Sequence, residues 1–132
     1  AAFLLLTRDE GGPAYCGIDS VDTGNLFGGS LPLPDDALLL LGADGRSEVG
    51  QRYLDTVPTG AQAACYTPLY GSMPAAAAFD LAAAALALKS GRAFASPVAP
   101  GPFAPTCGSV SRICSLRLAG DTEYAAIVMS KL

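Results

Sequence analysis

Residues 70–91 have the sequence YGSMPAAAAFDLAAAALALKSG, and this stretch decides the fold. It predicts a helix over about residues 73–89, with the Ser72 hydroxyl at its entry and Gly91 as a left-handed exit. Ahead of its last residue, the single charged side chain in that helix is Asp80. Because the helix has no polar face, we expect it to be buried on nearly all sides, inside a layered α/β body.

The same helix does not suit a membrane span. About 17 residues at about 1.5 Å each reach roughly 25 Å, short of the roughly 30 Å hydrocarbon core. Asp80 would also lie at mid-depth, at a cost of about 3 kcal/mol. We therefore expect no membrane association. In a protein core, a carboxylate needs a partner, and an arginine or a backbone amide would both serve Asp80.

Composition and charge narrow the class of protein. A length of 132 residues predicts one domain. With 51% hydrophobic and 15% charged residues, the chain is more apolar than a lone soluble domain usually is, so we expect a partner subunit or a second half to cover part of it. The net charge of −4 argues against a nucleic-acid partner, because phosphate binding needs a basic patch.

The first residues, AAFLLLTRDE, look like the middle of a strand rather than a natural terminus. They carry neither the basic region nor the long apolar run of a signal peptide. We therefore expect a cytoplasmic protein. We also expect the single domain of residues 1–132 to be a fragment of a longer polypeptide.

The four cysteines, Cys16, Cys65, Cys107 and Cys114, show no C-x-x-C spacing, and the chain has no histidine. This pattern predicts free thiols and no metal site. Cys65, within AACYT, superficially resembles a catalytic nucleophile. A nucleophilic cysteine needs a neighbouring base or a helix N-terminus to lower its pKa, so we expect a buried structural thiol instead.

Hydrophobic patterning predicts strands that alternate with helices. Strands are expected at residues 2–7, 14–21, 36–42, 61–67, 109–119 and 123–131, helices at 47–57 and 73–89, and loops at 22–34 and 96–108. This order predicts an α/β fold with a mixed sheet of about five strands covered by helices. The final hairpin, which turns at Gly120-Asp121, is expected to form the antiparallel edge of that sheet.

The sequences and the order of these segments resemble those of the C-terminal half of a β-ketoacyl-acyl-carrier-protein synthase, a member of the thiolase superfamily. Residues 38–45, LLLLGADG, resemble the strand that ends in the family's first catalytic histidine, within His-Gly-Thr. Residues 71–91 resemble the Gly-His motif and the Ala-rich helix after it, and residues 1–8 resemble the last strand of the N-terminal half. The resemblance implies a thiolase-like βαβαβαββ half with Ala-rich helices packed between two sheets. The family's helix between its first two C-terminal strands is replaced here by a loop.

The resemblance also implies where catalytic residues would lie. In the family, a cysteine takes the acyl group and two histidines stabilise the enolate that forms when a malonyl thioester loses carbon dioxide. The first histidine position falls on Asp44 or Ala43, the second falls on Ser72, and the family's lysine falls near Thr67. Aspartate would add negative charge where negative charge develops, and serine carries no proton near neutral pH. We therefore expect no intact catalytic residue, no cofactor and no metal.

Three functions remain open, and they leave undecided whether the chain is part of an enzyme. The first is a catalytically silent, chain-length-factor-like subunit that pairs with an active ketosynthase, or with itself, and meets acyl carrier protein in fatty acid or polyketide biosynthesis. The second is the C-terminal fragment of an active 3-oxoacyl synthase, an acyltransferase whose nucleophilic cysteine lies in an N-terminal half. The third is a stand-alone α/β binding domain.

Overall fold

A mixed sheet with helices on both faces forms the structure. The computed structural model describes residues 4–8, 12–28, 31–97, 104–105 and 108–132. The elements are β1 (Gly17–Asn25), β2 (Leu38–Leu41), α1 (Ser47–Thr56), β3 (Gln62–Ala64), α2 (Thr67–Tyr70), α3 (Ala76–Ser90), β4 (Ala104–Pro105), β5 (Arg112–Ala119) and β6 (Glu123–Ser130). The predicted α/β class is therefore confirmed.

The strand order in the sheet is β1-β6-β5-β2-β3-β4. β5, β2, β3 and β4 are parallel to one another, whereas β6 is antiparallel to both of its neighbours. The mixed sheet is as predicted, but the final hairpin does not form its edge. β6 lies inside the sheet because β1 pairs along its whole length, from Gly17↔Ser130 to Asn25↔Glu123, with an irregularity in register between Ile18 and Ser20.

Two segments differ from the predicted strands at the start of the chain. Residues 22–25 were expected in a loop, but they continue β1, because β6 supplies hydrogen-bonding partners that outweigh the low strand propensity of Asp, Gly and Asn. Residues 4–7 were expected in a strand, but they form none, and Leu5 is 96% exposed. An apolar run becomes a strand when a neighbouring strand pairs with it, and no described strand pairs with this one. The rest of that predicted strand, residues 2–3, lies outside the described residues.

The segments around the first long helix agree closely with the prediction. α1 begins at Ser47 as expected, although Arg46 is the N-cap and no side chain caps the helix. β3 ends at Ala64 instead of continuing to residue 67, because Thr67 and Pro68 begin the short helix α2. Proline suits the first turn of a helix and not the interior of a sheet, so the chain leaves the sheet here.

β2 lies at the centre of the core. All four of its leucines are buried, as a strand covered on both faces requires. Leu39 and Leu41 pack in the cluster that includes Tyr53 of α1, whereas Leu38 and Leu40 pack in the cluster that includes Leu88 of α3. The described residues therefore form three layers, with α1 on one face of the sheet and α3 on the other.

The alanine-rich helix α3 buries one face and leaves another outside. Its buried residues recur at helical spacing and are Ala76, Asp80, Ala84, Ala87 and Leu88. Ala77 is exposed, and Leu86 is 49% exposed. The expected burial on nearly all sides is therefore wrong for this chain, because a single sheet covers the helix and no described segment covers its outer face.

The ends of α3 follow the prediction in part. The helix ends at Gly91, whose φ of 70° is left-handed as expected. It begins at Ala76, after Pro74, and Ser72 does not cap it. None of the helices among the described residues combines the length and the apolar character that a bilayer crossing demands.

Candidate functional site

The candidate site lies where the parallel strands β2 and β3 end. Two loops follow these carboxyl ends, and they are close: a Cβ built on Gly45 would lie 3.8 Å from Cγ of Pro68. Asp44 belongs to the first loop, and Thr67 begins α2 directly after the second. In open α/β sheets, ligands bind outside the carboxyl ends of the strands, so two of the three predicted positions share the edge at which a site is expected.

A buried charged group lies at this edge. Asp80 of α3 is 1% exposed, and Arg117 of β5 donates a hydrogen bond from Nη2 to its Oδ2. Tyr70 donates its hydroxyl proton to Oδ1 of Asp80, and Nη2 of Arg117 also lies 3.3 Å from Oγ1 of Thr67. These four residues are called the Asp80 cluster below. The partner of Asp80, which the sequence left open, is thus an arginine of the same chain.

Three segments hold the Asp80 cluster together. Thr67 and Tyr70 are the first and last residues of α2, and Gly71, with φ of 80°, ends that helix. The ring of Tyr70 stacks on Phe79, the residue before Asp80, with ring centroids 5.1 Å apart. This stacking fixes the phenol beside the carboxylate, so both oxygens of the buried Asp80 carboxyl group have a hydrogen-bond donor.

The side chains of Arg117 and Tyr53 pack directly against the backbone of Gly42, the residue that follows β2. Gly42 is buried, and a Cβ built on it would lie 2.7 Å from Cδ of Arg117 and 2.7 Å from Oη of Tyr53. The phenol oxygen of Tyr53 is itself fixed, because the backbone N–H of Leu118 donates to it over 3.0 Å. Only glycine fits between the chain and these two side chains, so the carboxyl end of β2 is tightly packed.

The electrostatics of the cluster follow from its burial. Burial raises the pKa of Asp80, and the hydrogen bonds from Tyr70 and Arg117 oppose this rise. Burial and the adjacent carboxylate both raise the pKa of Tyr70, so its hydroxyl stays protonated and donates. The cluster therefore holds a cation, a buried carboxyl group and a neutral phenol.

The buried cysteines are poor nucleophiles. Burial, followed by the charge of Asp80, raises the pKa of Cys65 to about 11. Burial likewise raises the pKa of Cys114 to about 11. The reactive form of cysteine is the thiolate, so both side chains are structural thiols near neutral pH, as predicted for Cys65. Cys16 is also a free thiol, and Cys107 lies outside the described residues.

The other two predicted positions lie apart from the cluster. Asp44 accepts hydrogen bonds from the backbone N–H of Arg46 at 3.1 Å and from its Nε at 2.8 Å. Burial alone would raise the pKa of Asp44, but these bonds and the charge of Arg46 lower it below its usual range. Ser72 is exposed in the bend between α2 and α3. Of the three positions, the cluster therefore includes Thr67.

The sequence patterns did not indicate Arg117, Tyr70 or Tyr53 as residues of the site. The useful signal was Asp80, which needed a polar partner, and Arg117 is a charged residue within the β-forming run RICSLRLA. Its partner is 37 positions away along the chain, so pairing them requires the sheet order.

A second concave region lies at the opposite end of the same strands. A cleft of about 700 Å³ is bordered by Leu33, Asp36, Pro58 and Gln62, among other residues. These residues lie at or before the amino ends of β2 and β3, whereas the Asp80 cluster lies at their carboxyl ends. Within the part of the chain that is described, no three metal-ligating side chains come together.

The arrangement has a limited chemical repertoire. The Asp80 cluster offers hydrogen-bond donors and a positive charge, but its carboxyl group is already bonded to Arg117 and Tyr70. The described thiols nearby are protonated near neutral pH. The cluster is therefore suited to binding a polar group by hydrogen bonds rather than to nucleophilic attack. Comparisons with family models, with curated proteins and with solved structures find no match to this chain.

Proposed function

We propose that this chain is a catalytically silent, β-ketoacyl synthase-like subunit with a thiolase-like half-fold. It would work in the cytoplasm as the partner of an active ketosynthase in fatty acid or polyketide biosynthesis, and it would meet acyl carrier protein there. The observation that carries the proposal is the carboxyl edge of β2 and β3. Where the resemblance expects a catalytic histidine and lysine, Asp44 pairs with Arg46, and Thr67 accepts from Arg117.

The order of elements supports this proposal. With the two-residue strand β4 set aside, the chain runs β1, β2, α1, β3, the α2–α3 pair, β5 and β6. A βαβαβαββ half has the same order except for a helix after its first strand. In this proposal, the loop after β1 takes the place of that helix.

The charges at this edge support catalytic silence. Decarboxylation of a malonyl thioester leaves an enolate, and donors that stabilise negative charge accelerate it. Asp44 has a pKa below its usual range, so it is a carboxylate near neutral pH. A carboxylate would oppose the enolate, and exposed Ser72 offers one hydroxyl in place of an imidazole.

The outer face of α3 supports an association with a second layer. Leu86 on this helix and Met73 just before it are exposed apolar side chains, and Leu69 of α2 is exposed as well. A monomeric surface helix normally presents a charged face to water, whereas the exposed charge of α3 is limited to Lys89 in its last turn. In the resembled family, Ala-rich helices pack between two sheets, so a second half or a partner subunit would cover this face.

Activity and binding assays test the proposal separately. The purified chain is mixed with malonyl-acyl carrier protein, and carbon dioxide release is measured with and without an active ketosynthase from the same organism. We expect no release by the chain alone, and co-elution of the chain with the ketosynthase on size exclusion. Release by the chain alone would show an active enzyme, and binding to neither protein would favour a stand-alone domain.

A further inference from the structure

The carboxyl group of Asp80 depends on one cation. It is 1% exposed, and its contacts are Tyr70 and Arg117. A buried carboxylate is costly unless a cation pairs with it. Arg117 therefore occupies the position that a bound cation would take in a site built around Asp80.

The side chain of Arg117 also marks a path from the surface to Asp80. It is 22% exposed, so one part contacts solvent while Nη2 reaches the buried carboxyl group. Along this path, its Cδ packs against the backbone at Gly42 beside Oη of Tyr53. Truncation of the side chain at Cβ would leave a channel of this shape, with Asp80 and the Thr67 hydroxyl at its inner end.

We propose that Arg117 is the built-in occupant of a cation site, which it closes in the intact chain. Without this side chain, the site would bind a guanidinium or small alkylguanidinium ion. The chemistry of the inner end selects this class, because a planar guanidinium bonds a carboxylate and a neighbouring hydroxyl at once. In the intact chain, both of these bonds come from Nη2 of Arg117, so the inner end already accepts a guanidinium nitrogen.

Chemical rescue tests the proposal. The Arg117→Ala variant is melted with increasing methylguanidinium chloride in the millimolar range, and sodium chloride at equal ionic strength is the salt control. We expect the Tm of the variant to rise by several degrees once the ion reaches about ten times its Kd. The Tm of the wild-type chain should not rise, because its own side chain holds the site.

A matched variant separates site binding from a general effect of the ion. Arg112→Ala removes an arginine whose partners both contact solvent, since Asp36 is 67% exposed and Asp19 is 34% exposed, so methylguanidinium should not rescue it. Equal shifts in both variants, or no shift in Arg117→Ala, would overturn the proposal. If Arg117→Ala does not fold in salt alone, its refolding yield with methylguanidinium is measured in place of the melting curve. A yield that the ion does not change would also overturn the proposal. No synthase or carrier protein enters this test, so its failure leaves the proposed function untouched.

Discussion

The two ends of strands β2 and β3 differ in how far their ion pairs are exposed to solvent. At the carboxyl ends, Asp80 is 1% exposed and pairs with Nη2 of Arg117, whose side chain is 22% exposed. At the amino ends, a cleft of about 700 Å³ is open, and Asp36 on its border is 67% exposed while it pairs with Arg112. Both ends contain an ion pair between β5 and another segment, yet solvent screens only one of them. The comparison shows that the surroundings of a pair, rather than its presence, decide what it contributes.

The largest expected effect is the loss of the buried cation. Arg117→Met should lower the free energy of unfolding by about 3–5 kcal/mol near neutral pH, because Asp80 stays buried without a partner. Arg112→Met, at the open end, should lower it by about 1 kcal/mol or less. Urea unfolding of both variants measures the difference, and equal losses would erase the contrast between the two ends.

Tight packing at the carboxyl end predicts the next effect. Gly42→Ala should cost about 1–3 kcal/mol, because the new Cβ would meet Arg117 and Tyr53 at 2.7 Å. Gly50→Ala is the control, since it lies in α1 with nothing within 4 Å of the new Cβ, and it should stabilise the chain by about 0.5–1 kcal/mol. Thermal unfolding distinguishes them by the sign of the change in Tm.

A similar contrast applies to the two faces of α3. Ala84 is fully buried against the sheet, so Ala84→Leu should overpack the core and cost about 1–3 kcal/mol. Ala77 is exposed, so Ala77→Leu should change stability by less than about 0.5 kcal/mol. Chemical unfolding of the isolated chain measures both. A large loss for Ala77→Leu would mean that this face is covered after all.

The smallest expected effect is the change in the free energy of unfolding of Arg117→Met for each pH unit. The folded-state pKa of Asp80 lies above the usual 3.8, and removal of Arg117 should raise it further. Between 3.8 and that pKa, the folded state binds more protons than the unfolded state, so stability falls as the pH rises. Arg117→Met should therefore recover up to about 1.4 kcal/mol per pH unit on acidification through this window. Asp80→Asn in the same background should remove that slope, and a slope that persists would assign it to another group.

The local sequence predicted those elements whose hydrophobic pattern and terminal residues both indicate the same helix, strand or turn. The run LLLL of β2, the helix α1 and the hairpin around Gly120-Asp121 lie where the pattern placed them, and Gly91 ends α3. Each of these depends on neighbours within a few residues or on an apolar strand that is buried on both faces. The chemistry of turn and cap residues is local as well, so these predictions needed no tertiary knowledge.

The remaining features depend on partners far away in the sequence. Residues 22–25 form a strand because β6 lies beside them, and residues 4–7 form none although they are apolar. The outer face of α3 is exposed because, among the described residues, one sheet covers the helix where two were expected. At the site, Thr67 was identified through the resemblance, whereas Arg117 was not, because the strand order decides which residue meets Asp80.

The borders of the sheet restrict how copies of this chain can associate. β1 carries Asp19 at its irregularity in register, and the Asp19 carboxylate accepts from Ser130. At the opposite border, β4 is two residues long and includes Pro105, which has no N–H to offer an incoming strand. Kinked, acidic and proline-ended borders oppose the addition of strands and hence fibre growth. Recognition of another protein is therefore expected to proceed through side chains on the layers rather than by extension of the β-ladder.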